Sequence, residues 1–136
     1  MPVHITWDEG LSDVIRYDFE GRWTWNEFEQ AYSEAVRLFG TVDHPVDVIV
    51  NLLPSTALPR GILDVVKRVA DNAPPHHGMT VYVGQRDILQ VFARAFERIY
   101  PNAAARYPLA FCATLDEARA RLKAGSPPLD SEQRLL

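Results

Sequence analysis

Cysteine is all but missing from this chain: Cys112 stands alone among 136 residues. An internal disulfide is therefore excluded, and a reducing, cytoplasmic setting is expected. Glycine is scarce too, with 7 residues, none of them clustered into a phosphate-cradling loop. No nucleophile elbow, Ser–His–Asp order or pair of catalytic carboxylates stands out, so no enzymatic activity is expected. Apolar runs never approach the roughly 20 residues that a membrane-spanning helix needs. The opening MPVHITWDEG lacks the basic-then-apolar order of a secretory signal. Charge of one sign is not in large excess: 14 Lys and Arg stand against 18 Asp and Glu, for a net charge of −4. That balance gives no general attraction to nucleic acid or to acidic membranes.

What is present reads as a globular domain. Hydrophobic residues make up 47% and charged residues 24%, an ordinary soluble composition. A chain of this length buries about two-thirds of its unfolded surface and needs no metal or disulfide to fold. One domain is expected over residues 1–124. The remaining residues 125–136, GSPPLDSEQRLL, carry two prolines and little periodicity and are expected to form a disordered tail.

Periodicity assigns the elements. Val3, Ile5 and Trp7 alternate with polar residues, as do Ile15, Tyr17 and Phe19, and the short connection makes these strands an antiparallel hairpin. Thr24 and Glu27 are spaced for a capping box, with Trp23 and Phe28 as its hydrophobic staple. The helix that follows runs to about Phe39, with Phe28, Ala31, Tyr32, Ala35, Leu38 and Phe39 as its core stripe. Residues 46–52 are dense enough in apolar side chains to form a central strand. A helix over 61–73, a strand over 79–83 and a helix over 88–100 follow. The last helix is expected to bury Ile88, Phe92, Ala95, Phe96 and Ile99. A strand over 109–112 and a final helix capped by Thr114 complete the order ββαβαβαβα. The fold class is α/β: a five-stranded mixed sheet with an antiparallel first strand and four helices.

This order, with FEGRWTWNEF, VDVIVNL and TLDEARARL, resembles the STAS-like fold, that of sulfate-transporter and anti-sigma-factor-antagonist domains. It looks most like the antagonist-like branch that also resembles lipid-binding CRAL-TRIO modules. The resemblance implies a regulatory module whose third-strand loop and second helix face a protein partner or a second copy. In phosphorylated antagonists that loop presents an aspartate–serine pair before a glycine. Here Gly61 matches, but Leu58 and Pro59 occupy the other two positions. Ser55 and Thr56 lie several residues too early to take over the phosphoacceptor role.

Candidate binding residues lie at predicted strand ends, where open α/β sheets place functional loops. Ser55, Thr56, Arg60 and Gly61 precede a helix N-terminus, which favours an anion; a proline-stiffened structural turn explains them equally well. Gly84 and Arg86 form a second such loop, in which Gly84 could simply make the turn, Asp87 cap the helix and Arg86 stay solvated. Trp23, Trp25, Tyr32 and Phe39 could line an apolar pocket or merely fill the core. His76 and His77 lack converging ligands, so no metal or other cofactor is expected. The first reading is thus a protein-interaction module. The alternative is a carrier or sensor of a lipid-like or anionic small molecule, and an enzyme built from dispersed groups comes third.

Overall fold

The computed structural model describes residues 3–55, 61–72, 77–102 and 110–124. The elements are β1 (Val3–Trp7), β2 (Val14–Phe19), α1 (Trp25–Phe39), β3 (Val46–Asn51), α2 (Ile62–Asp71), β4 (His77–Val83), α3 (Arg86–Ile99), β5 (Ala110–Cys112) and α4 (Leu115–Ala124). The expected α/β class, five-stranded mixed sheet and four helices are all seen among the described residues. The tail over 125–136 lies outside them.

Local chemistry accounts for the hairpin. The Asp8 carboxylate accepts from the amides of Gly10 at 2.9 Å and Leu11 at 3.0 Å, folding the chain back on itself. β1 and β2 then pair antiparallel, from Val3 opposite Phe19 to Trp7 opposite Ile15. β2, β3, β4 and β5 are parallel, and the spatial order is β1-β2-β3-β4-β5.

That order decides where the helices go. A right-handed crossover repeated in one direction leaves every connecting helix on the same face of the sheet. Accordingly, side chains of α1, α2 and α3 meet one set of strand residues, including Tyr17, Val48, Val50 and Tyr82. α4 follows the last strand and is free of this constraint. It packs on the opposite face, setting Ala118 and Leu122 against Val14, Ile49, Val81, Val83 and Ala110.

α1 begins as its sequence requires. Thr24 Oγ1 accepts from the Glu27 amide at 3.2 Å, and Glu27 accepts from the Thr24 amide at 2.9 Å. The rings of Trp23 and Phe28 lie 6.4 Å apart, completing the staple. α4 has a variant of this cap: Thr114 Oγ1 accepts from the Glu117 amide at 3.1 Å, while Glu117 accepts from Ala113 at 2.9 Å.

α3 departs from expectation. Its buried residues are Leu89, Phe92 and Phe96, while Ile88 is 51% and Ile99 55% exposed. Leu89 and Ile88 are adjacent apolar residues, and burying the former turns the stripe by one position. Asp87 does not cap this helix either: Gln85 is the N-cap residue, and Asp87 sits in the first turn.

The face of β2 turned towards α4 is polar where α4 does not reach. Arg16 Nε donates to Asp18 at 2.9 Å, and Arg16 Nη1 to Asp8 at 3.1 Å. Asn51 donates to Asp18 at 2.8 Å across the β2–β3 register. Arg119 of α4 closes the network with two bonds to Asp8, at 3.0 and 2.9 Å. Every charge in it is paired, as partly buried ions require.

Candidate functional site

The three crossover helices do not close down fully on the sheet. Between them lies a cavity of about 180 Å³. Its floor follows from the register. Tyr17 on β2 pairs with Val50 on β3, and Val50 with Tyr82 on β4. All three belong to the face under the crossover helices. Neighbouring strands are ~4.8 Å apart, so two phenol rings rise on either side of a short valine and leave a trough.

The walls are aromatic and aliphatic. Trp25, Phe28, Tyr32 and Phe39 come from α1, Ile62, Val65, Val66 and Val69 from α2, and Leu89, Phe92 and Phe96 from α3. Several rings are nearly parallel: Tyr17 and Phe19 are inclined by 12°, Phe28 and Tyr32 by 15°. Trp23 is buried behind them, its ring centroid 4.6 Å from that of Phe19. Trp23, Trp25, Tyr32 and Phe39, read from the sequence as a candidate apolar pocket, all line this cavity.

α2 is the least embedded wall, since none of its described side chains is fully buried. It is tied down at its edges. Arg68 pairs with Glu29 of α1 and lies 6.0 Å from the centre of the Tyr32 ring. At the other edge Asp64 accepts from the Tyr100 hydroxyl, and Lys67 lies 5.7 Å from that ring.

Polar groups in the cavity are few. Among the described lining residues there is no Asp, Glu, Lys or Arg. His77 and Thr80 reach it together because of an irregularity. The β3–β4 register slips between Val46 and Val48, leaving Gly78 and Met79 opposite Asp47, whose carboxylate accepts from the Met79 amide at 2.8 Å. Residues three apart on a regular strand point to opposite faces, whereas the extra residue of a bulge restores them to one. His77 Nε2 and Thr80 Oγ1 are 2.9 Å apart as a result. A Cβ at Gly78 would come within 2.1 Å of Asp47 Oδ1 and displace the carboxylate that receives the Met79 amide.

The two floor tyrosines are held neutral. Burial, reinforced by the nearby phenols of Tyr32 and Tyr82 and by Glu29, raises Tyr17 well above its ordinary value. Burial pushes Tyr82 up to about 12.

The loop residues marked out in the sequence stand elsewhere. Ser55 Oγ accepts from the Trp23 indole at 3.1 Å. Gly61 has φ +82°, a left-handed conformation that suits glycine at the entry to α2. Gly84 is buried, and its amide donates to Cys112 at 3.2 Å, joining the ends of β4 and β5. Arg86 is exposed in the first turn of α3. Thr56, Leu58, Pro59, Arg60 and His76 lie outside the described residues. The crevice rule behind these candidates depends on a reversal in strand order, and the order β1-β2-β3-β4-β5 contains none. Cys112 packs beside the α4 core, and burial raises its thiol. Among the described residues no group of three or more metal-ligating side chains occurs, and no helix is long and apolar enough to cross a membrane.

Compared with protein-family models, with curated proteins and with solved structures, the chain matches none.

Proposed function

We propose that this chain is a non-catalytic binding module of STAS-like type. It takes a small, largely apolar molecule between its sheet and its three crossover helices, acting as a carrier or sensor without a cofactor. The observation that carries this reading is the cavity of about 180 Å³ with its apolar, aromatic lining. Interiors of this size of domain are normally filled to crystal-like density, with few voids larger than a water molecule. An apolar space that does not fill with water gains by taking up an apolar guest.

The test is thermal unfolding of the full chain with and without toluene, set beside native mass spectrometry of the gently purified protein. Toluene is expected to raise the Tm of the wild type and to leave Val50→Phe, which fills the trough, unchanged. A retained small mass in the native spectrum would agree. No toluene response, together with a bare protein, would defeat the reading.

A second reading, a regulatory protein-interaction module, draws on a different surface. Val91 is 67% exposed and Ile88 51%, and both border a shallow apolar groove with Ile62, Leu63 and Ala95. Exposed apolar residues grouped along a groove are typical of contact surfaces. A stable dimer weakened by Val91→Asp would favour this reading.

A further inference from the structure

We propose that the cavity's ligand is a neutral molecule with one six-membered ring and one hydrogen-bonding substituent, anchored by the Tyr17 hydroxyl. This inference rests on the binding-module reading above and names the ligand class.

Size sets the first limit. An engineered apolar cavity of ~150 Å³ holds benzene. About 180 Å³ therefore admits a single ring with one small substituent. A drug-sized ligand or a long acyl chain calls for a pocket of ~300 Å³ or more.

Charge sets the second. The described lining carries no carboxylate, ammonium or guanidinium group. An ionised guest would surrender its hydration without gaining a carboxylate, ammonium or guanidinium to pair with, which is strongly unfavourable. The lipid-like and anionic ligands weighed from the sequence are thus replaced by a small neutral one.

Shape sets the third. Tyr17, Phe19 and Phe28 are mutually inclined by only 12 to 20°. A flat ring can continue this near-parallel series, since offset stacking is a favoured aromatic arrangement.

The polar anchor completes the argument. Tyr17 is only 7% exposed and lines the cavity. Among the described residues no hydrogen bond engages its hydroxyl, whereas the Trp23 indole and His77, which also line the cavity, are engaged. Buried hydroxyls almost always have a partner. A ligand oxygen or nitrogen seated in the trough would supply one.

Isothermal titration calorimetry on the full chain tests this with three probes: phenol, toluene and benzoate. The proteins are the wild type, Tyr17→Phe and Val50→Phe. The wild type is expected to bind phenol and toluene but not benzoate. Tyr17→Phe should weaken phenol by about fivefold, the worth of one ordinary hydrogen bond, and leave toluene within about twofold of the wild type. Val50→Phe should bind none of them. If Tyr17→Phe left phenol unchanged, or weakened both probes alike, the anchor would be wrong while the binding module survived. If benzoate bound best, neutrality would be overturned. If the wild type bound neither phenol nor toluene, this inference and the binding-module reading would fall together. The Tm of Tyr17→Phe, expected to be no lower than that of the wild type, verifies that the variant is folded.

Discussion

Asp8 holds more of the molecule together than any other single side chain described. Its carboxylate is fully buried and receives Arg16, Arg119 and the amides of Gly10 and Leu11. Burial alone would raise its pKa; hydrogen bonds from Arg119, Gly10 and Leu11 and the charge of Arg119 more than offset that and hold it below the ordinary value. Asp8→Ala leaves Arg16 with Asp18 and Arg119 with only the exposed Asp116, and is expected to cost about 3 kcal/mol in urea unfolding, the low end for breaking a buried pair. The sign of the pH effect follows from the lowered value. The stabilisation is complete above the unfolded-state pKa of about 3.9 and is lost as pH falls through the lower folded value. Stability measured from pH 5 down to pH 2 should therefore converge between wild type and Asp8→Ala. Little in the local pattern hints at this residue: Asp8 reads as the polar end of an alternating strand, and Arg119 lies 111 positions away.

Elements differ in how much of their structure is locally encoded. α1 was legible almost to the residue, because Trp23, Thr24, Glu27 and Phe28 fall within six consecutive residues and determine its start without outside help. Thr24→Ala should cost about 1 kcal/mol, the usual worth of a side-chain N-cap, by chemical denaturation. α3 was legible as a helix but not in its rotation, since Ile88 and Leu89 offer the same hydrophobicity one residue apart and only packing chooses between them. The His77–Thr80 pair was hidden for a similar reason: the bulge at Gly78 and Met79 changes the parity of β4, and nothing in the local pattern marks it. α2 is the most loosely held helix. Its ten residues are too few for stability alone, and its ties to Glu29 and Tyr100 are at exposed positions, where such pairs contribute little. Hydrogen exchange should find α2 amides less protected than those of α1, and saturating phenol should slow α2 exchange more than that of any other helix. Equal protection of α1 and α2 in the free protein would contradict this account.

At the scale of the whole molecule, alternation and helical periodicity were enough for the α/β class and the antiparallel first strand. The cavity was only half legible. The aromatic residues of its α1 wall stood out in the sequence, but the trough between Tyr17 and Tyr82 depends on the register of three strands far apart in the chain. Sheet order has one more consequence. Each strand lies beside its predecessor in sequence, so the sheet can accrete strand by strand as the polypeptide emerges from the ribosome, with no step waiting for a distant segment. The contacts of the last helix are the exception, the bond from Arg119 to Asp8 among them, and they can form only when that helix arrives. A contact made that late belongs to the exit barrier rather than the entry barrier. Stopped-flow kinetics should accordingly show Arg119→Ala, which spares the turn bonds of Asp8, unfolding faster than wild type while refolding at nearly the same rate: a first-made turn fastened by a last-made bolt.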